Sequence, residues 1–212
     1  IWGEALGAET RHMGAYQGHA SVAVPRGILV TWAVMREGGI QVNLEGRRFA
    51  DESRGYSEHA VDVLAQPGGV VWDIYDSRIH AMAMDFEDYR QAEAAGALKT
   101  ATDEKSLAAS LGLPEAALSE TLAQTRRLAE GGGQDPYGRR FDGKAPLVPP
   151  YYAVKVGAAL FHTQGGLAID TSARVLHKAG GALPNLFAGG GAACGVSGPE
   201  VWGYSSGNGL LT

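Results

Sequence analysis

A mixed α/β fold is predicted for this 212-residue chain by three observations. Short runs rich in Val, Thr and aromatic residues alternate with stretches whose apolar residues recur at helical spacing. Pro- and Gly-bearing turns separate them. The third is the glycine content, 31 residues in all, or about 15% against a usual 7% or so. Thirteen of these glycines fall in the last 56 residues, from Gly157 onward, among apolar residues rather than the Ser, Gln and Pro of a linker. That pattern suits main chain packed close to a ligand.

Taken in order, residues 1–13 read as the end of a helix closed by Gly14. Tyr16 to Val24 and Ile28 to Val34 read as paired strands with Pro25-Arg26-Gly27 turning between them. Ile40 to Asn43 alternates, Leu44-Glu45-Gly46 turns and Arg47 to Ala50 returns, which predicts a short hairpin. Tyr56 to Ala65 carries Ala60, Val63 and Leu64 at helical spacing and stops at Pro67-Gly68-Gly69. Val70 to Tyr75 is a strand and Asp85 to Ala95 a polar-faced helix. After Leu98 to Ala101 comes a helix pair: Thr102 or Asp103 caps the first, Pro114 opens the second, and Leu118, Leu122 and Leu128 form its stripe. The Pro-, Gly- and charge-rich stretch from Gln134 to Pro150 reads as a domain boundary. Beyond it, Tyr151 to Val156, Gly166 to Asp170, Arg174 to His177 and Leu186 to Ala188 read as short strands joined by glycine turns.

Several function classes are excluded. The formal charge is −5 with a pI near 5.7, and Lys and Arg never run longer than two, so nucleic acid is not an expected partner. No apolar run approaches the roughly 20 residues of a membrane span, and no leader pattern opens the chain. The single Cys194 forms no internal disulfide and no Cys/His group has zinc spacing, so no metal is expected and a reducing, cytoplasmic setting is the default. Gly143-Lys144 is followed by Ala145, not Ser or Thr, which fails as a phosphate loop. Gly195-Val196-Ser197-Gly198-Pro199 lacks the last glycine of a hydrolase elbow. The chain begins Ile1-Trp2-Gly3 and stops where a Ser/Asn-capped helix should begin, so it reads as part of a longer polypeptide.

What remains is the tail, Leu186 to Gly191 and then Gly203 to Gly209: a strand running into glycines, followed by a helix start whose N–H groups would face an anion or an electron-rich ring edge. The alternative is a glycine-rich turn joining a strand to a packed helix.

Gly39 to Glu52 (GIQVNLEGRRFADE) resembles the "Gly-x-Ile-x-Val-Asn-x-x-Gly-x-Arg-Phe-x-x-Glu" segment of the fumarate reductase and succinate dehydrogenase flavoproteins. Gln17-Gly18-His19 resembles the Gln-x-His substrate segment of that family, and Phe161 to Leu167 its His-x-Thr-Met-Gly-Gly segment. The tail, with Gly207-Asn208, resembles its final flavin-binding helix. The four matches occur in the family's order and together cover nearly the whole chain. The resemblance implies an FAD domain of Rossmann type with an inserted cap domain. On this mapping residues 1–14 leave the FAD domain, 15–148 form the cap and 149–212 return. The FAD pyrophosphate loop would lie in a preceding segment, the chain's expected partner besides a small-molecule substrate.

The same resemblance implies the site. Gln17, His19, His162 and Tyr204 would bind substrate, with Tyr56, His19 and Tyr204 catalytic. Gly165, Gly166, Gly189, Gly190, Gly191, Ser206, Gly207, Asn208 and Gly209 would hold FAD. The family's second substrate His falls on Phe161, one position before His162. Its proton-delivering Arg falls on Tyr56 and its carboxylate-binding Arg on Tyr204, which removes the bidentate clamp natural for a dicarboxylate. Tyrosine acts as an acid or base when its pKa is lowered, with Arg54 and His59 near in sequence, as in ketosteroid dehydrogenases of this superfamily. Arg47, Arg48 and Glu52 read as a surface salt-bridge set. The expected function is FAD-dependent hydride transfer, to or from flavin N5, at a carbon-carbon bond beside a carbonyl or carboxyl. A ketosteroid- or tricarballylate-dehydrogenase-like member is favoured over a true fumarate reductase. The alternatives are a polycarboxylate dehydrogenase of tricarballylate type and a non-catalytic cap fragment.

Overall fold

The computed structural model describes residues 2–200. They fall into two compact units, His19–Ala159 and a second drawn from residues up to Gly18 and from Leu160 onward. Each is described in turn.

The secondary elements run, in chain order, α1 (Trp2–Ala5), β1 (Thr10–Arg11), β2 (Tyr16–Ala23), β3 (Ile28–Leu29), α2 (Ala33–Arg36), β4 (Ile40–Val42), α3 (Tyr56–Leu64), β5 (Val70–Asp76), α4 (Ser77–Ala83), α5 (Glu87–Ala94), β6 (Leu98–Ala101), α6 (Glu104–Leu111), α7 (Glu115–Ala129), β7 (Tyr151–Thr163), β8 (Gly166–Leu167), β9 (Arg174–Leu176) and β10 (Ala182–Phe187). The mixed α/β expectation is met.

The larger unit is built on an antiparallel sheet in the order β3-β2-β7-β5-β4, with β6 also paired to β7. Its core joins Ile40, Val42, Ile74, Tyr75, Val154 and Val156 of the strands to Ile79, Tyr89, Leu107, Leu118 and Leu122 of the helices. Burying each of these large side chains contributes about 1.5–3 kcal/mol. Helix α6 starts on a reciprocal cap: the Asp103 carboxylate accepts from Ser106 N–H at 2.7 Å while the Ser106 hydroxyl oxygen accepts from Asp103 N–H at 3.3 Å.

Several expectations change. The hairpin at 40–50 does not form: β4 pairs with β5, Ile40 opposite Ile74 and Val42 opposite Trp72, and Asn43 to Arg47 makes only a turn. The returning residues are irregular because Arg48 is drawn inward to buried carboxylates. The second strand of the first pair is only two residues long and gives way to α2, whose Val34 and Met35 are buried. Helix α4, capped by the Asp76 side chain on Ile79 N–H at 3.1 Å, was not anticipated. Residues 2–13 hold one helical turn and a strand rather than a helix end. The 134–150 stretch, linker-like by composition, is instead packed into the larger unit through Asp135, Arg139, Phe141 and Leu147.

In the smaller unit β1 pairs with β8 and β9 with β10, both antiparallel. Main chain presses directly on main chain at two glycines. A side chain on Gly165 would lie 2.5 Å from the His12 carbonyl oxygen, and one on Gly166 would lie 2.5 Å from that of Ala193. Real Cβ atoms do not come so near, so both positions require glycine for packing alone. Among the described residues, no helix is long and apolar enough to cross a membrane.

Candidate active site

His19 on β2 is buried, and so is Gln17, which belongs to the smaller unit. His19 stacks on the Tyr56 ring at 4.6 Å between centroids and 27° between planes, and meets the Trp32 ring edge-on at 6.0 Å. Tyr56 sits there because it opens α3, after Gly55, whose φ of 119° is a conformation that glycine tolerates. His59, one helical turn on, lies between the Trp32 and Phe49 rings at 5.6 and 5.3 Å. His19, Trp32, Phe49, Tyr56 and His59 thus form one continuous aromatic cluster.

The protonation state of His19 follows from its partners. Ser21 N–H donates to His19 Nδ1 at 3.1 Å, so Nδ1 is an acceptor and the neutral ring carries its proton on Nε2. Burial outweighs this backbone bond and lowers the pKa to about 4, which keeps the ring neutral at pH 7. Burial also lowers the pKa of His59, against the pull of Glu52 and Asp62.

Behind the cluster runs a buried polar chain that sequence reading did not find. The Ser21 hydroxyl donates to Asp73 Oδ2 in a short hydrogen bond. Gln41 Nε2 donates both to Asp73 Oδ1 at 2.7 Å and to the Ala20 carbonyl at 3.1 Å. The Gln41 main-chain N–H reaches Glu52 Oε1 at 3.1 Å. Asp73 is fully buried, and desolvation, partly offset by Ser21 and Gln41, pushes its pKa up to about 7. Glu52 goes the other way: burial alone would raise it, but Arg139 and Arg48 bring it down to about 2.

The arginines form a quartet with two carboxylates. Arg48 holds Glu52 at 2.7 Å and Asp135 at 2.5 Å, Arg139 lies 3.1 Å from Glu52, and all four side chains are at most 5% exposed. Arg48 and Glu52 are therefore interior, not the surface set that was expected. Arg47 alone is at the surface, paired with Glu120 at 3.0 Å. Arg54 turns to Asp62 at 3.2 Å.

The remaining expected residues belong to the smaller unit or lie outside the described residues. His162 is exposed on β7 beside the ring of Phe161, itself 38% exposed. Gly189 and Gly191, after β10, are exposed, and a side chain on Gly191 would meet nothing within 4 Å among the described residues. Gly190 between them has a φ of 57°. Tyr204, Ser206, Gly207, Asn208 and Gly209 lie outside the described residues.

A family model described as an FAD binding domain matches residues 2–210. The chain belongs to that family. FAD is the cofactor the match assigns. Over 209 residues the chain is 30% identical to a fumarate reductase (cytochrome) of Shewanella frigidimarina, covering 99% of this chain and 36% of that protein. It is 29% identical to a 4-oxocyclohexanecarboxylate 2-dehydrogenase of Sinomonas cyclohexanicum, covering 77% of this chain and 33% of that one. The open conformation of a flavocytochrome c3 fumarate reductase superposes with a TM-score of 0.74 at 29% identity, over 98% of this chain and 36% of that structure. The chain spans about a third of the length of these relatives.

Among the described residues, the turn after β10 has room for such a cofactor. Gly189 and Gly191 are exposed, and among the described residues a side chain on Gly191 would meet nothing, which leaves the room that close approach by a flat ring requires. Gly165 and Gly166 are already accounted for by the chain's own backbone.

Proposed function

We propose that the full polypeptide is an FAD-dependent oxidoreductase that adds or removes hydrogen across a carbon-carbon bond next to a neutral carbonyl. The observation that carries this reading is the neutral His19 stacked on Tyr56. A carboxylate substrate calls for a guanidinium clamp. Arg48, Arg54 and Arg139 of this unit are each paired with a protein carboxylate instead. What the cluster offers is a hydrogen-bond donor, His19 Nε2–H, beside a phenol and an indole, a combination suited to a cyclic ketone.

FAD, when bound, supplies the hydride donor or acceptor. This chain's residues handle the rest. Nε2–H of His19 donates to the carbonyl oxygen and stabilises the negative charge that gathers there as the adjacent carbon loses or gains its proton. The Tyr56 oxygen exchanges that proton, so hydride at one carbon and proton at its neighbour balance the two hydrogens transferred. Gly189 to Gly191 would let main chain lie against the cofactor.

Anaerobic reaction of the oxidised, FAD-loaded protein tests the reading. A saturated cyclic ketone should bleach the flavin while succinate and tricarballylate do not, and Tyr56→Phe should slow bleaching by about 10²-fold or more. Bleaching by tricarballylate or succinate but not by the ketone would transfer the assignment to polycarboxylates.

A further inference from the structure

We propose that Asp73 is a positioning residue for His19, acting through the Ala20–Ser21 main chain. The inference rests on His19 meeting substrate, as proposed above. Asp73 lies in the middle of β5, where its neighbours Trp72 and Ile74 are core residues and a carboxylate costs free energy to bury. Nothing in the packing calls for a charge at that position. Its two oxygens are engaged in one direction. Oδ2 accepts from the Ser21 hydroxyl, and Oδ1 accepts from Gln41 Nε2, whose other hydrogen goes to the Ala20 carbonyl at 3.1 Å. Two consecutive residues of β2 are thereby tied to one carboxyl group on another strand.

The next link is the main chain itself. Ser21 N–H is the donor that fills His19 Nδ1 at 3.1 Å. If the peptide between Ala20 and Ser21 rotates, that N–H leaves Nδ1 and the imidazole can adopt the other tautomer, with its proton on Nδ1 and an acceptor at Nε2. A donor toward the substrate carbonyl would then become a lone pair. Asp73 and Gln41 hold the peptide plane by its two sides, the carbonyl of Ala20 and the side chain of Ser21. The tautomer of a functional histidine is commonly fixed by the partner of its second nitrogen. Here that partner is a backbone amide, and the carboxylate holds the same residue by its side-chain hydroxyl.

The test reads the tautomer directly. In the full-length protein with 15N-labelled histidine, two-bond proton–nitrogen correlations assign His19, with His19→Gln identifying its signals. The native protein should show the Nε2–H tautomer alone. Asp73→Ala should add an Nδ1–H population, whereas Asp73→Asn, whose oxygen can still accept from Gln41 while its NH2 donates to the Ser21 hydroxyl oxygen, should retain the native pattern. In the loaded enzyme Asp73→Ala should lower kcat by on the order of ten- to a hundredfold, the scale of a catalytic group misplaced by roughly 1 Å, and Asp73→Asn by much less. An unchanged His19 pattern in Asp73→Ala overturns the proposal. A shifted tautomer with unchanged kcat keeps Asp73 as the residue that sets His19 and removes His19 from the substrate. Should Asp73→Ala fail to fold, Ser21→Ala cuts the same link, and a native tautomer there overturns the proposal equally.

Discussion

Replacing Asp73 by Asn should change how stability depends on pH. The native Asp73 carboxyl has its pKa raised by burial from 3.8 to about 7. A carboxyl raised in the fold binds its proton more tightly when folded, so its stabilising effect is complete below pH 3.8 and is lost as pH climbs to about 7. At about 1.4 kcal/mol per pH unit over about three units, the loss is roughly 4 kcal/mol. His19 has the opposite sign: lowered from 6.5 to about 4, it contributes stability above pH 6.5 that is lost as pH falls through 4. In the native protein the two slopes oppose each other between pH 4 and 6.5. Asn can still bond both neighbours, accepting from Gln41 and donating to the Ser21 hydroxyl oxygen, and does not titrate. The difference in unfolding free energy, Asp73→Asn minus native, cancels every other group and should grow in favour of the variant by about 4 kcal/mol from pH 4 to 7, then level off. The variant alone should show the His19 slope. Urea unfolding at half-unit pH steps, followed by tryptophan fluorescence from the buried Trp32 and Trp72, gives the difference once the m-value is shown to be constant. A difference that stays constant from pH 4 to 8 would refute the burial argument for Asp73.

Three further outcomes are expected. Glu52→Gln leaves Arg48 and Arg139 facing a neutral group in the interior and should cost about 3–5 kcal/mol. It should also abolish the loss of stability that Glu52, at about 2 in the fold against 4.5, causes as pH falls from 4.5 to 2, measured by acid titration of the circular dichroism signal. Gly166→Ala drives a methyl into Ala193 and should destabilise its unit by about 1–3 kcal/mol through overpacking, seen as a lower melting temperature. Gly191→Ala has open space and should melt like the native chain yet weaken FAD binding in a fluorescence titration of the full-length protein; unchanged affinity would show that the cofactor does not press on this turn.

The legibility of this chain follows a physical line. Periodic and capped segments could be read: β2, α3, β5 and the α6–α7 pair all match their patterns, because alternation, a stripe at 118 and 122 and an Asp cap at 103 are local signals. Misreadings occurred where distant partners decide. Residues 47–50 alternate well enough for a strand, but β4 finds β5 and Arg48 finds Asp135, 87 positions away. The motif around Gly39 to Glu52 identified the family and concealed that its Arg and Glu are interior. The aromatic pair of His19 and Tyr56 was named from the resemblance, whereas Trp32 and the Ser21–Asp73–Gln41 chain were missed. A lone Asp inside the apolar run VVWDIY was the available signal for Asp73, since a buried strand admits a carboxyl only with partners.

The Arg48–Glu52–Asp135–Arg139 quartet has a consequence for the stretch that composition alone would class as a tether. Arg139 donates to the carbonyls of Met35 and Gly39 at 2.6 and 2.8 Å, so three sequence-distant pieces are bolted at one point. A protease should find this exposed-looking, proline-rich connection a poor substrate on its α7-proximal side. If the backbone were severed there, the halves should remain together through chromatography as a nicked heterodimer, since the quartet clasps them and β7, beyond the cut, is seated between β2 and β5.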